Sequence, residues 1–172
     1  MTLESPYPAN LLVNSFTAVV PAVAPVSFVI PATITRHTPK GPSVTPGPGD
    51  ILSHKGIFDT GATSTAISSA LAEKLELPVA GRYPMITASE SMEANIHYVN
   101  ILLPNKTILS PCRVLSAPLP GCDFLLGMDV ISKGDVSIVP RLGFLVLTFT
   151  MYFRHGRIIQ PPSSEPSNRV NG

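Results

Sequence analysis

The stretch IFDTGATS, residues 57–64, decides how this chain is interpreted. Asp59, Thr60 and Gly61 follow an apolar pair, and aspartate and glycine are poor formers of both strands and helices. The tripeptide therefore interrupts whatever element precedes it. A plain surface turn would explain that much, because Asp, Thr and Gly are common in turns. The rest of the sequence has to distinguish a turn from a functional loop.

Composition limits the classes of protein that the chain can represent. Its 172 residues are enough for one domain, and a hydrophobic content of 44% is enough for a packed core. The net charge is +1, charged residues make up 13%, and no run of Lys or Arg occurs. Such a chain has no basic field that would attract a phosphate backbone. We therefore expect neither nucleic acid nor a membrane among its partners.

Cysteines and histidines give no sign of a metal or a cofactor. Cys112 and Cys122 fit no metal-ligand spacing, and two thiols are too few for a disulfide framework. We expect both to be free, reduced thiols in a cytoplasmic protein. The histidines are scattered without ligand spacing, so we predict no metal site and no cofactor; they are His37, His54, His97 and His155.

The N-terminal apolar stretch at residues 11–26 raises the question of targeting. Glu4 stands where a signal peptide has positive charge, and Pro21 and Pro25 break the stretch well short of a membrane span. We expect no signal peptide and no transmembrane helix. A divergent secretion signal that ends near Ala24 is the alternative.

Proline indicates where the folded domain begins and ends. Nine of the nineteen prolines lie in the first fifty residues and three more near the C-terminus, where they disfavour helices and central strands. We predict a Pro-rich arm at residues 1–25, a folded domain at 26–153 and a flexible tail at 154–172.

Within the domain, short runs of β-branched and aromatic residues between turn signals predict an all-β fold. Helical spacing appears at residues 64–77, with Ser64 or Thr65 as the cap, and a second short helix is predicted from Met128 to Ser132.

The order of these features resembles a known family. Phe58-Asp-Thr-Gly-Ala62, a helix, a hairpin, the segment DFLLGMD at residues 123–129 and a final hairpin are similar to the retropepsin-like aspartic proteases. The closest likeness is to their single-domain bacterial, phage and DNA-damage-inducible relatives, and it covers Val26 to Phe153. The resemblance implies a retropepsin-like acid-protease β-barrel with one or two short helices, assembled as a two-fold homodimer.

The chemistry of this family explains the residue types in the opening stretch. Peptide hydrolysis needs a base for the water and an acid for the carbonyl, and two carboxylates that share one proton supply both. Asp59 is the predicted catalytic residue, and Thr60, Gly61 and Ala62 complete its active-site loop. Glycine permits close backbone approach, and the threonine hydroxyl can reach the opposite loop. Pepsin-like enzymes usually have a hydroxyl residue at the place of Ala62, so we expect activity at mildly acidic to near-neutral pH.

Two further segments receive roles from the resemblance. Leu125, Leu126 and Gly127 would form a structural loop that packs against the active-site strand. We interpret Asp129 as an N-terminal helix acid or a hydrogen-bond acceptor rather than a second catalytic carboxylate.

A protease of this class also needs a flap that covers the substrate. The predicted flap tip comprises Ala88, Ser89, Glu90, Ser91 and Met92. An ordinary surface hairpin is the alternative. If the segment is a flap, Glu90 would favour substrates with a basic residue opposite it.

The count of motifs predicts a dimer, since the chain has one Asp-Thr-Gly and the chemistry needs two carboxylates. Residues 144–153, FLVLTFTMYF, are apolar on both faces, which favours a strand buried in an intersubunit sheet, with Leu147 and Phe149 in the interface. In the resembling family the chain termini interleave there. The predicted function is a homodimeric aspartic endopeptidase acting on an extended peptide or protein. The alternative is a dimeric peptide-binding or assembly module with weak or self-directed cleavage.

Overall fold

The computed structural model describes residues 11–23, 27–39, 54–86, 91–154 and 157–159, which contain eleven strands and two short helices. The all-β prediction is confirmed. In chain order the elements are β1 (Leu12–Pro21), β2 (Phe28–Arg36), β3 (His54–Phe58), β4 (Ala66–Ser68), α1 (Ser69–Lys74), β5 (Gly81–Ile86), β6 (Ser91–Leu102), β7 (Ile108–Ala117), β8 (Phe124–Leu126), α2 (Met128–Ile131), β9 (Gly134–Arg141), β10 (Phe144–Arg154) and β11 (Arg157–Ile159).

Six strands close into a barrel. Their order is β2-β3-β8-β4-β7-β6, and the ring closes because the second half of β6 pairs with β2. The first half of β6 pairs instead with β5, which extends the sheet beyond the barrel. Strands β3 and β8 are parallel neighbours, so their C-terminal ends lie side by side. This pair positions the residues that follow Phe58 and Leu126.

The barrel interior is filled by alternate side chains of its strands. In β2, for example, Phe28, Ile30, Ala32 and Ile34 are buried while Val29 is exposed, as the two-residue period of a strand requires. The same core includes buried residues of β3, β6, β7, β8 and both helices. The strands therefore form because one face of each is apolar and meets the others inside the ring.

A second sheet packs against the barrel. Strand β10 lies in its middle, with β1 along one edge and β9 and β11 along the other. The ring of Phe149 joins this sheet to the barrel, since its centroid lies 5.4 Å from that of Phe58 in β3 in edge-to-face geometry. Within the sheet, the same ring lies 5.7 Å from that of Phe16 in β1, also edge-to-face. The strand that ends at the active-site loop thus rests on the second sheet.

The prediction that residues 144–153 form an intersubunit strand is wrong. Both edges of β10 are hydrogen-bonded within the same chain, to β1 over residues 12–21 and to β9 over residues 134–141. Leu147 and Phe149 are fully buried in the chain's own core. The two apolar faces of the strand reflect a central position in an intrachain sheet, and a charge at either residue would disrupt the core of the monomer.

The N-terminal region also differs from expectation in part. Residues 12–21, which the sequence assigns to an arm, form the edge strand β1, and its final residue, Pro21, stands at the strand end. An edge strand tolerates proline because it has one free side. Residues 157–159, assigned to the tail, form β11. The division of the chain at residues 25 and 153 stays a prediction.

The first helix is shorter than its sequence pattern predicts. Helix α1 begins at Ser69, and its cap is Ser68 rather than Ser64 or Thr65, with the Ser68 hydroxyl accepting a hydrogen bond from Leu71 N. Pairing of Ala66–Ser68 with β7 and β8 draws the start of the pattern into a strand. Helix α2 lies where predicted and ends at Ile131. Neither helix in the described ranges is long and apolar enough to cross a membrane.

Candidate active site

Asp59 lies at the point where β3 leaves the barrel. Its backbone N–H donates to the carbonyl of Leu126 at 3.0 Å, which continues the pairing of β3 with β8 by one step. After that bond the chain turns away, and the Asp59 carbonyl accepts from Ala62 N at 3.4 Å. The aspartate is therefore fixed at its backbone by the neighbouring strand while its side chain is free to project from the barrel end.

The Asp59 carboxylate is half-buried and accepts a hydrogen bond from Gly61 N at 2.9 Å on Oδ1. A Cβ at Gly61 would lie 3.2 Å from the same oxygen, closer than ordinary van der Waals contact. Glycine is therefore the residue that leaves room for the carboxylate. Thr60, between them, is exposed.

The other end of the loop is held by the start of α2. Met128 N donates to Ala62 O at 2.8 Å, and Asp129 N donates to Thr63 O at 3.2 Å. In return, Asp129 Oδ1 accepts from Thr65 N at 2.8 Å and from the Thr65 hydroxyl at 2.7 Å. Asp129 is thus both an acid in the first turn of α2 and a hydrogen-bond acceptor. These bonds tie the active-site loop to the helix.

Thr65 and Gly127 form the centre of this connection. Thr65 is fully buried, and its hydroxyl accepts from Gly127 N at 3.1 Å while it donates to Asp129. A Cβ at Gly127 would lie 2.5 Å from the backbone carbon of Ser64, a separation that real Cβ atoms do not show. The glycine of the Leu-Leu-Gly segment is therefore needed because two backbones cross in contact there.

The loop borders a cleft with a volume of about 680 Å³. Asp59 is the one carboxylate among its described lining residues. Its floor is a small apolar cluster separate from the barrel core, in which Ala66, Ala94 and Leu115 are buried and Ile96, Leu119 and Leu125 pack against them. The full lining comprises Asp59, Gly61, Ala62, Thr63, Ser64, Ala66, Tyr83, Pro84, Leu115, Ala117, Pro118, Leu119 and Leu125.

The structure brings four of the predicted site residues together at the cleft. Asp59, Gly61, Ala62 and Leu125 line the cleft, whereas Leu126 is fully buried in the barrel core beneath it. Leu125 is therefore part of the cleft wall as well as of the structural loop.

The predicted flap tip is described only in part. Ala88, Ser89 and Glu90 lie outside the described residues, and Ser91 and Met92 begin β6. Strands β5 and β6 are antiparallel, with Ile86 opposite Ser91, and Tyr83 and Pro84 of β5 reach the cleft. The strands that flank the predicted tip thus border the site.

One wall of the cleft was not predicted from the sequence. Tyr83, Leu115, Ala117 and Leu119 come from β5, β7 and the loop after β7, and they meet only because of the sheet register. The signal that could have located this wall is the alternation of side chains along β7, in which Val114 packs in the barrel core and Leu115 in the cleft floor. Both faces are apolar, so alternation alone does not show which one binds a ligand.

Neither thiol has the properties of a catalytic nucleophile. Burial raises the pKa of the Cys112 thiol to about 12, and burial also raises the pKa of Cys122, with Asp123 adding to the effect. A thiol with a raised pKa is a poor nucleophile at neutral pH. Both cysteines are free.

The family model of the "gag-polyprotein putative aspartyl protease" matches residues 52–133, which include the Asp59 loop and Gly127. Over these residues the chain is similar to the retropepsin-like aspartic proteases. Its fold is similar to the crystal structure of a retropepsin-like aspartic protease from Rickettsia conorii, with 15% identity, a TM-score of 0.50, and coverage of 83% of this chain and 98% of that one.

A second solved structure with some likeness to this retropepsin-like chain is the retroviral protease-like domain of Ddi1 from Leishmania major. The identity is 14% and the TM-score is 0.42, over 80% of this chain and 96% of that one. No curated protein matches the chain. The comparisons therefore show a family match over residues 52–133 and a retropepsin-like fold.

Proposed function

We propose that this chain is an aspartic endopeptidase that hydrolyses an extended peptide with the Asp59 carboxylates of two chains. One observation carries the proposal: Asp59 is the one carboxylate among the described residues that line a cleft with an apolar floor, and hydrogen bonds hold its loop there. The volume of about 680 Å³ lies within the usual range of ligand sites, roughly 300–1,000 Å³. The size of the cleft and the position of Asp59 on it support the proposal that Asp59 acts on a bound peptide.

The proposed reaction uses a pair of carboxylates that holds one proton, because two like charges in contact cannot both ionise. The ionised Asp59 takes a proton from water, whose oxygen attacks the peptide carbon. The protonated Asp59 of the other chain gives its proton to the carbonyl oxygen. The C–N bond then breaks as the nitrogen receives a proton from one Asp59 and a hydroxyl of the tetrahedral diol returns a proton to the other, which leaves an acid, an amine and the original monoprotonated pair.

The second carboxylate is proposed to come from a second copy of the chain. Asp129 accepts two hydrogen bonds from Thr65, so its carboxylate is occupied in holding the loop. No other carboxylate of the described residues lines the cleft. Thr60 is exposed, which would leave its hydroxyl available to the loop of the partner. A two-fold pair is also the commonest oligomer.

Strand β9 supplies a surface for that partner. One of its edges pairs with β10, and no described strand pairs with the other. Large apolar side chains are exposed along β9 and the turn after it, namely Val136, Ile138, Val139, Leu142 and Phe144. Such exposure is unusual for an edge strand in contact with water. We propose that the second copy covers this surface in place of the strand predicted from the sequence.

Strands β5 and β6 would supply the cover of the bound peptide. Tyr83 and Pro84 already form part of the cleft wall. The segment Ala88, Ser89, Glu90, Ser91 and Met92 joins these strands and is the proposed flap tip. Closure would exclude water other than the one that reacts.

The free thiols fit the proposed cytoplasmic location, where cysteines stay reduced. This location was expected from the sequence and remains part of the proposal.

Asp59→Asn tests the proposed chemistry because it removes the carboxylate that each chain contributes, with little change of shape. The purified chain is incubated with a peptide pool, and the products are weighed by mass spectrometry. We expect the parent to cleave with a bell-shaped pH profile, and the variant to be slower by about 10³-fold or more. Asp129→Asn is the control, since its amide oxygen can still accept from Thr65.

The outcomes of this test separate the candidate functions. Equal cleavage by parent and Asp59→Asn, or loss of activity with chelators, would show that the proposed mechanism is wrong. Peptide binding by both proteins with cleavage by neither would favour the binding or assembly module. Cleavage confined to the chain itself would favour the self-directed form of that alternative.

Ile138→Lys tests the proposed contact between copies. The charge should weaken the dimer, so sedimentation should show monomer at concentrations where the parent is dimeric, and activity should fall more steeply on dilution. Val79→Lys is the matched control. Val79 is 56% exposed against 47% for Ile138, and it lies outside β9, in the segment between α1 and β5. A fully active monomeric parent would contradict the two-chain site.

A further inference from the structure

A positive charge lies against one wall of the cleft. The guanidinium carbon of Arg113 is 5.0 Å from the centroid of the Tyr83 ring, within the range of a cation–π contact. Tyr83 itself lines the cleft. Tyr83 therefore contacts both the cleft and the arginine.

The register of β7 places Arg113 directly beyond the cleft floor. Arg113 is two residues from Leu115, so both side chains project from the same face of the strand, about 7 Å apart along it. Leu115 is a buried floor residue, whereas Arg113 is half-buried. An extended peptide that runs along this face repeats at the same spacing, so its alternate side chains would meet Leu115 and then Arg113.

The charge of Arg113 is not neutralised by the described part of the chain. The one ion pair found among the described residues joins Arg82 to Glu93 at 3.2 Å, and both of those side chains are largely exposed. The planar face of the Arg113 guanidinium stacks on Tyr83, which fixes its orientation and leaves the N–H groups at its edge to other acceptors. Such an edge fits a carboxylate with two parallel hydrogen bonds.

We propose that Arg113 is a specificity-determining residue that favours peptides with Asp or Glu two positions from the residue seated on Leu115. This inference rests on the proposed peptidase function and adds the class of substrate. Tyr83 positions the guanidinium and separates it from the catalytic carboxylate. The cleft floor selects an apolar side chain, and Arg113 selects an acidic one beyond it.

The test uses peptide libraries in which each position beside the cleaved bond is randomised in turn. The full-length parent should enrich Asp and Glu at one position. For a matched pair of peptides with Glu or Gln there, the ratio of kcat/KM should be roughly tenfold or more in favour of Glu. Arg113→Met keeps an apolar stem and should abolish this ratio, chiefly by lowering kcat/KM for the Glu peptide. Arg113→Glu should shift the preference to Lys and Arg.

Arg82→Met is the matched control, because it also removes an arginine, but from β5 and one whose side chain is 71% exposed and paired with Glu93. It should retain the Glu preference. A parent that cleaves without preferring an acid, or an Arg113→Met variant that keeps the preference, would overturn the inference and leave the peptidase function intact.

A protein that cleaves nothing would contradict the proposed function, so binding provides a second measurement. Fluorescent peptides with Glu or Gln at the selected position are titrated onto Asp59→Asn and onto the double variant Asp59→Asn with Arg113→Met. Tighter binding of the Glu peptide that disappears with Arg113 would support the specificity role. Equal binding of both peptides to Asp59→Asn would overturn it.

Discussion

Asp59 and Asp129 occupy comparable places and have opposite surroundings. Each follows one of two parallel neighbours, β3 and β8, at the same end of the barrel. Asp129 accepts from the backbone and the hydroxyl of a fully buried threonine, 64 residues away in the chain. Asp59 accepts from Gly61, two residues away, and its side chain borders the cleft.

The difference shows how a barrel end can divide structural and chemical work between two carboxylates. A carboxylate with long-range partners holds distant segments together and has few lone pairs left for a substrate. A carboxylate with one local partner contributes little to holding the fold and keeps its lone pairs available. The surroundings, rather than the residue type, therefore distinguish the proposed catalytic aspartate from the structural one.

The largest expected effect is on stability, at the contact between Gly127 and the backbone of Ser64. Gly127→Ala places a Cβ 2.5 Å from the Ser64 backbone carbon, and backbone cannot move aside as a side chain can. The free energy of unfolding should fall by about 3 kcal/mol, measured by urea denaturation. Gly61→Ala is the control, since its Cβ meets only the Asp59 carboxylate at 3.2 Å. It should lower activity with a much smaller loss of stability, and equal losses for both would break the comparison.

The next effect concerns the aspartates themselves. Asp129→Ala leaves the N–H and hydroxyl of buried Thr65 without their acceptor, so the free energy of unfolding should fall by about 2 kcal/mol. Asp59→Ala should change it by no more than about 0.5 kcal/mol. Asp129→Asn should restore most of the loss, because the amide oxygen can accept both bonds. A stability loss for Asp59→Ala as large as that for Asp129→Ala would show that Asp59 is a structural residue.

The smallest expected effect is a pH dependence of stability that comes from His54 and not from the proposed catalytic pair. Burial lowers the pKa of His54, at the start of β3, below its ordinary value of 6.5, and its Nδ1 accepts from Ile34 N at 3.1 Å. The unfolded chain therefore binds the proton more readily, so stability is present above pH 6.5 and falls as the pH drops towards the lowered pKa.

This prediction is checked by thermal unfolding at about pH 7 and about pH 5.5, on either side of the ordinary histidine pKa. His54→Asn offers an oxygen to Ile34 N but does not titrate, so its Tm should change less between the two conditions. An identical change in parent and variant would mean that His54 does not set the acid limit. In that case a loss of activity in this range could be assigned to other groups.

The sequence predicted the fold through the two short motifs that the barrel brings together. Asp-Thr-Gly-Ala and Leu-Leu-Gly are recognisable because a close approach and a turn restrict their residue types locally. Helix α2 was predicted for the same reason, since its start and end signals lie within a few residues. Thr65 was instead read as a candidate helix cap, because nothing in its neighbourhood shows that its hydroxyl lies between Gly127 and Asp129.

The wrong prediction for β10 and the unpredicted cleft wall both depend on which strands pair, and paired strands can lie far apart in the sequence. The apolar faces of β10 fit an intersubunit strand or a central intrachain strand equally well, and only the register with β1 and β9 distinguishes them. The cleft wall of Tyr83 and Leu115 was missed for a related reason, since both sides of β7 are apolar. Local patterns determine that a strand forms but do not determine its neighbours.

Strand β1 limits where the chain could be processed. Its ten residues pair with β10 from Leu12 to Pro21, so a cut before Leu12 would shorten the N-terminus and leave the sheet complete. A cut between Pro21 and Phe28 would turn β1 into a separate peptide held only by noncovalent contacts, its pairing with β10 and the packing of Phe16. Its departure would open an edge of β10 to any other strand. The first kind of cut is a trimming step, whereas the second would make β1 an exchangeable subunit of the molecule.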